Sequence, residues 1–321
     1  MDWEEAKASA QQALAGTKRI RLPGAPEGAE AVELAALDWG GDGPLIVMHH
    51  ANGFCAGSLG EVGVQLSQAG FRVISFDARG HGDSTPVVPG AEPNPYAWDT
   101  LAADCSAATE AILEYTGRDR IELAIGHSFG GALMLAAASA APSHFGRLLL
   151  CDPVIFPPLT AAERAAAAKG NKLVEATLRR RDHFGSRVEA FTHCGSRGLF
   201  KNFTPTALAL YVLEGMRPTG AGAGAGADAA VGEVTLKCAR EVEAAIFGGG
   251  GTLDLTGQVD DFAPEVRIVH ALQGNFSRAV YDRLVEPMQA ARVESLEAGH
   301  LFPMEEPVLV LDRVLEMMGR G

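Results

Sequence analysis

Residues 126–130 read Gly-His-Ser-Phe-Gly. The apolar run Ile121–Ile125 leads into them, and a segment of small residues, Gly131–Ala141, leads out. The first has the character of a strand and the second of a helix, so these five residues must turn one directly into the other. Such a turn crowds the backbone two residues either side of its centre, and glycine stands at both places because a Cβ would not fit. Ser128, at the centre, is held clear of the sheet with its hydroxyl outward. The helix that follows aims its N-terminus at the same point, which favours developing negative charge there.

The rest of the chain supplies more strands and helices in alternation. The short apolar runs Lys18–Leu22, Ala31–Trp39, Leu45–His49, Arg72–Phe76, Arg147–Cys151, Val266–Ala271 and Arg292–Leu296 join Ile121–Ile125 as strand candidates. Several are near-continuous Val/Ile/Leu runs, as expected of strands buried on both faces. Residues 2–15, Leu59–Ala69 and Trp98–Tyr115 read as helices. The pattern predicts an α/β fold with a mostly parallel, eight-stranded sheet and helices on both faces.

The alternation stops after Phe156. Thr160–Arg181, Ser186–His193, Thr206–Glu214 and Thr235–Ile246 read as helices, and a strand signal returns only at Val266. The expected organisation is a helical cap over residues 156–250, inserted into a core made of residues 1–155 and 251–321. Within the cap, Gly220–Ala227 alternates Gly and Ala; with no side chains to pack, it is expected to be a mobile surface loop. The run Gly248–Gly251 leads back to the core. Arg179, Arg180 and Arg181 are expected to form a solvated helix face, with reception of an anionic substrate as the alternative.

Composition narrows the function classes. The 321 residues carry 47% hydrophobic content, enough for a large core, and a formal net charge of −13. That charge disfavours nucleic acid and anionic membranes as partners. The five cysteines are odd in number and scattered, so free thiols are expected rather than a disulfide framework or a zinc-cysteine site. The N-terminal segment has acidic residues at its start and no apolar h-region, and no run is long enough for a membrane span. A cytoplasmic protein is expected, acting on a small molecule without metal or cofactor; a homodimer is left open. No H-E-x-x-H or similar spacing supports a metal.

Three further motifs accompany the turn at Ser128: His-His-Ala-Asn-Gly-Phe at His49–Phe54, Asp-Ala-Arg-Gly-His-Gly-Asp-Ser at Asp77–Ser84, and Ala-Gly-His-Leu-Phe-Pro-Met-Glu-Glu-Pro at Ala298–Pro307. In their order and spacing the chain resembles the α/β-hydrolase superfamily over nearly its whole length. The resemblance implies Ser128 as nucleophile and His300, in the loop after the last strand, as general base. It implies an oxyanion hole formed by the backbone N–H of Phe129 and that of Asn52, whose side chain is available as a further donor.

The acid of the triad departs from the common pattern. It usually follows the penultimate strand, but Leu272–Ser277 holds no carboxylate, and Asn275 stands near the expected place. The haloalkane dehalogenase branch carries its acid after the strand that follows the elbow helix, and Asp152 occupies that position here. An Asp before Pro at a strand end also commonly satisfies loop amides, and Asp260, Asp261 and Asp282 are the other candidates. His50, Phe54, Phe156 and Leu301 are the candidate pocket lining, with Phe184, Phe191, Phe200, Phe203 and Tyr211 as further apolar cap residues that alternatively just pack the cap.

The resemblance implies a serine hydrolase, first a carboxylic ester hydrolase acting through an acyl-serine on a small or medium apolar ester. C–C or amide hydrolysis, acyl transfer and cofactor-free peroxidase chemistry use the same triad. A catalytically silent, ligand- or partner-binding member is the alternative of another class. Dehalogenase and epoxide hydrolase chemistry need a carboxylate nucleophile, and position 128 is serine.

Overall fold

The protein's computed structural model describes residues 2–25, 32–90, 94–156, 160, 171–219, 232–250, 253–255 and 262–320. Its centre is an eight-stranded sheet. Six strands precede residue 152: β1 (Lys18–Pro23), β2 (Glu33–Gly40), β3 (Leu45–His49), β4 (Arg72–Phe76), β5 (Leu123–His127) and β6 (Arg147–Cys151). Three short strands follow, β7 (His183–Phe184), β8 (Met216–Pro218) and β9 (Val234–Leu236), and then β10 (Glu265–Ala271) and β11 (Ala291–Leu296) complete the large sheet. The order across it is β1-β2-β4-β3-β5-β6-β10-β11. β1, β2 and β4 pair antiparallel, and every other pair is parallel.

The sequence pattern explains this order. β3, β5 and β6 are apolar along nearly their whole length and lie at the centre, where both faces are covered. β1 alternates exposed and buried positions and carries Lys18, Arg19 and Arg21 at the sheet edge, where charge discourages pairing with another chain. Alternate residues of a strand serve opposite cores: Ile46 and Met48 face one, Leu45 and Val47 the other.

On the first face pack α1 (Trp3–Leu14), α2 (Gly60–Gln68) and the C-terminal helix α11 (Val308–Met317). On the second pack α3 (Trp98–Thr116), α4 (Phe129–Ala140) and α9 (Arg278–Val285). Between β6 and β10 lie α5 (Lys172–Arg179), α6 (Arg187–Gly195), α7 (Pro205–Gly215) and α8 (Arg240–Gly248); α10 (Phe302–Glu305) follows β11. Among the described residues, no helix is long and apolar enough to cross a membrane.

The segment between β6 and β10 differs from the all-helical cap expected from sequence. β7, β9 and β8 form a three-stranded antiparallel sheet. The helix expected over Thr235–Ile246 starts at Arg240, because Val234–Leu236 are taken up as the central strand of that sheet. α7 is buried along most of its length, with Leu208, Ala209 and Leu210 at 0% exposure. It packs on α1 and on the turn at Ala56–Leu59, so it shares the core of the first face. α4 also starts two residues earlier than expected, at Phe129. The Gly-Ala run at Gly220–Ala227 lies outside the described residues, as do Asp260 and Asp261.

Candidate active site

β5 ends at His127 and α4 begins at Phe129, so Ser128 alone makes the turn. Its φ is 56°, which L-residues rarely adopt. Asp152, with φ 42°, is the other non-glycine residue in this region among those described. Conformations of this kind cost on the order of 1–3 kcal/mol each and tend to cluster at functional sites. Here the two fall on neighbouring strand ends. The β5–β6 register pairs His127 with Cys151, and the Ser128 N–H donates to the Cys151 carbonyl at 2.9 Å.

The glycines of the turn are sterically required. A Cβ on Gly126 would stand 2.5 Å from Gly131 Cα, and one on Gly131 would stand 2.7 Å from Pro153 Cβ. A Cβ on Gly130 would stand 2.5 Å from the His50 carbonyl oxygen. That last contact shows the loop after β3 pressed directly onto the elbow. The Phe129 N–H belongs to the first turn of α4, where helix geometry leaves N–H groups without an intrahelical acceptor. Asn52 lies in the adjoining loop, which is tightened by the Phe54 N–H donating to the Ala51 carbonyl at 3.1 Å.

Three side chains form a line at the elbow. Ser128 Oγ lies 2.9 Å from His300 Nε2, and His300 Nδ1 lies 2.6 Å from Asp152 Oδ2. Asp152 is fully buried, and its second oxygen is not left bare. Oδ1 accepts from the Ala271 N–H at 3.1 Å and lies 3.2 Å from the Tyr281 hydroxyl, which is also 2.8 Å from the Pro153 carbonyl. The Asp152 N–H itself donates to the Val269 carbonyl at 2.7 Å. With Nδ1–H donated to Asp152, the imidazole presents Nε2 as acceptor to the serine. In this arrangement an imidazole can take the hydroxyl proton, and the carboxylate can stabilise the resulting cation.

The family model of the alpha/beta hydrolase family matches residues 46–313. The chain belongs to that family. Over 103 residues the hydrolase is 33% identical to a bifunctional esterase/perhydrolase of Acinetobacter calcoaceticus, a match covering 32% of this chain and 34% of the relative. Over 124 residues it is 36% identical to a non-heme chloroperoxidase of Streptomyces lividans, covering 38% and 41%. These matches therefore span well under half of either relative. The peroxisomal alpha-beta-hydrolase Lpx1 of Saccharomyces cerevisiae has a similar fold, with TM-score 0.70 at 17% identity over 94% of this chain and 87% of that one.

Of the residues singled out in the sequence, the hydrolase brings Ser128, His300 and Asp152 into contact. Asp282 is engaged elsewhere, facing Arg278 at 3.4 Å. The loop after β10, where the acid more commonly sits, passes close to Asp152 instead. A Cβ on Gly274 would stand 2.6 Å from Asp152 Oδ2, so the absence of a side chain there leaves room for the carboxylate.

Two expectations are corrected around the loop after β3. His50 does not offer a polar group to a pocket. It is buried, its Nδ1 lies 2.7 Å from the Ala51 carbonyl, and its Nε2 accepts from the Ala78 N–H at 2.9 Å. It is an internal strut between two loops, and burial holds its pKa well below the usual histidine value. The Asn52 side chain is likewise committed, its Nδ2 donating to the Glu243 carbonyl at 3.0 Å. His81 Nε2 accepts from the Gly53 N–H at 3.1 Å. Burial, assisted by the charge of Arg180, pushes His81 down to about 4.

The other expected pocket residues are packed. Phe54 is buried against Phe200, Phe203 and Tyr211, with ring centroids 5.9, 6.0 and 5.5 Å away. Leu301 is buried in the core of the first face. Phe156 is half-buried and meets Trp98 edge-on at 6.3 Å. All five cysteines are buried and free. Among the described residues, no three His, Cys, Asp or Glu side chains are grouped to hold a metal ion.

Two residues next to Ser128, His300 and Asp152 carry no separate sequence signal. Tyr281 sits on α9, and only the fold brings its hydroxyl to Asp152. His127, the variable residue of the elbow, lies with Nε2 2.8 Å from the His300 carbonyl. A carbonyl only accepts, so His127 carries its proton on Nε2 and pins the His300 backbone. Burial, with the adjacent His300, pushes His127 down to about 3.

Proposed function

We propose that the protein is a carboxylic ester hydrolase that works through an acyl-serine on Ser128. The Ser128 oxygen attacks the ester carbonyl as His300 Nε2 takes its proton. The carbonyl oxygen becomes an oxyanion facing the Phe129 and Asn52 backbone N–H groups. Collapse breaks the bond to the alkoxy group, and His300 passes the proton to the departing alcohol. A water molecule, deprotonated by His300, then attacks the acyl-serine and releases the acid. Asp152 holds the imidazole orientation and stabilises its cationic form throughout. Residues 156–250 serve as the cap, and the substrate lies between them and the elbow. An acidic chain with five buried free thiols suits a reducing compartment, and we place it in the cytoplasm.

The observation that carries this reading is the unbroken contact from Ser128 Oγ through His300 to Asp152. It also weighs against a silent family member, whose support is the lack of a carboxylate in the loop after β10. The test is hydrolysis of short p-nitrophenyl esters by the protein and by Ser128→Ala, with fluorophosphonate labelling of both. The protein is expected to turn over esters and label, and Ser128→Ala to lose at least about 10³-fold in kcat without unfolding. Undiminished turnover in that variant would exclude the mechanism.

A second reading is favoured by the esterase/perhydrolase among the relatives. Hydrogen peroxide in place of water would attack the same acyl-serine, leaving the peroxy acid and the free serine. Peracid formation from an ester and hydrogen peroxide, lost in Ser128→Ala, distinguishes it from hydrolysis alone.

A further inference from the structure

The three successive arginines at the C-terminal end of α5 do not share one environment. Arg179 lies on the surface, 3.6 Å from Glu175. Arg181 is also outside, 2.6 Å from Glu189 and over the Phe184 ring at 4.7 Å. Arg180 turns inward. Its Nη1 stands 2.9 Å from Glu243 Oε2 and 3.3 Å from Oε1. Its Nη2 is shut off from solvent and has no hydrogen-bond acceptor.

This pair stands on the loop that would supply half of the oxyanion hole. A Cβ on Gly53 would be 2.6 Å from the Glu243 carboxylate, and the Glu243 carbonyl accepts from Asn52 Nδ2. Arg240 fixes the base of the arginine from behind, its Nη1 donating to the carbonyls of Leu178 at 3.2 Å and Arg180 at 3.1 Å. The Arg180 charge is felt at both His81 and Tyr211. The charge is balanced by Glu243 and the side chain as a whole is 22% exposed, but the buried Nη2 lacks an acceptor, and such a donor gains from any acceptor brought to it.

Resting on the ester-hydrolase reading, we propose that Arg180 is a specificity-determining residue whose free Nη2 binds an uncharged oxygen acceptor on the acyl chain of the substrate. The acceptor is a keto, hydroxy or alkoxy oxygen a few atoms from the ester carbonyl. A carboxylate is the poorer fit, because Glu243 already balances the guanidinium and a second buried anion would be uncompensated.

The test compares three p-nitrophenyl esters of similar length: pentanoate, 4-oxopentanoate and the glutarate half-ester. The 4-oxopentanoate is expected to have a kcat/KM about tenfold or more above the pentanoate, the effect of one charge-assisted hydrogen bond. In Arg180→Met, and in Arg180→Met/Glu243→Gln, which removes the orphaned carboxylate should the single variant misfold, that ratio is expected to fall to about one. Ratios near one in the wild type, or a preference for the glutarate half-ester, would overturn the proposal while leaving Ser128-dependent hydrolysis intact. Calorimetric binding to Ser128→Ala serves even if no ester turns over. Methyl 4-oxopentanoate is expected to bind about tenfold tighter than methyl pentanoate, and equal affinities would reject the role of Arg180.

Discussion

Asp152 Oδ2 meets His300 Nδ1 at 2.6 Å across 148 residues of sequence, from the strand beside the elbow. That strand end is fixed by the parallel register of β6 between β5 and β10. Replacing Asp152 with Asn keeps the shape but turns an acceptor into a group that can donate, which favours the wrong imidazole tautomer. Asp152→Asn is expected to lower kcat for short esters about 10⁴-fold with little change in KM. Steady-state kinetics on folded variant protein checks this; a loss under tenfold would mean that another group orients His300.

The same carboxylate depends on the bare backbone at Gly274. A methyl group there would come within 2.6 Å of Asp152 Oδ2 and 2.9 Å of the Ala271 carbonyl oxygen. Ala271 also donates its N–H to Asp152 Oδ1 at 3.1 Å, so the carboxylate cannot retreat without losing a bond. Gly274→Ala is expected to reduce kcat at least about tenfold, by tilting Asp152 away from His300. Gly198, where a Cβ would meet nothing within 4 Å, provides the control position. Equal kinetics for Gly274→Ala and Gly198→Ala would show that the loop yields freely.

The sheet was legible because its strands are short apolar runs that burial on both faces demands, and the elbow because its glycines answer to sterics alone. The carboxylate that meets His300 was legible only as one of four, since that contact depends on strand register that sequence does not display. β7, β8 and β9 were missed because two- and three-residue strands carry no period to detect. The place of His50 after β3 suggests pocket lining. What decides its role is a pair of backbone partners, Ala51 and Ala78, that only the folded loops bring together. The inward turn of Arg180 is hidden in sequence for a similar reason. Adjacent residues at a helix end point in different directions, and the acceptor that draws this one inward, Glu243, is 63 residues away.

Acid stability follows from the buried histidines. Burial pushes His49 and His81 down to about 4 and His127 to about 3, from an ordinary value of 6.5, and lowers His50 as well. Below pH 6.5 the unfolded chain binds protons at these sites that the folded protein refuses. Their contribution is therefore fully present above pH 6.5 and is lost as pH falls toward 4 and 3. Asp77 acts in the opposite sense. Burial raises it to about 7, so between pH 3.8 and 7 the folded state binds the extra proton and gains stability on acidification. Burial raises Glu61, Glu243 and Glu305 in the same sense as Asp77, but without shifts as large. Each group with a large shift changes stability by roughly 1 kcal/mol per pH unit, and the four histidines outweigh these carboxylates. The midpoint of urea unfolding is expected to fall from pH 7.5 to pH 5, and a midpoint that rises would show that the carboxylates dominate.

Phe54 separates packing from substrate contact. It was expected to line a pocket, but its ring is enclosed by Phe200, Phe203 and Tyr211, and it is only 7% exposed. Those three partners come from the segment between β6 and β10, so the ring ties that segment to the loop after β3. Truncation to Ala removes the shared surface and leaves a cavity, at a cost of about 3–5 kcal/mol. Phe54→Ala is expected to unfold at markedly lower urea than the wild type. Phe54→Leu, which keeps much of the volume, is expected to recover a large part of the loss. If both variants kept wild-type stability and changed only KM, the ring would be a substrate contact and the tie between segment and loop would lie elsewhere.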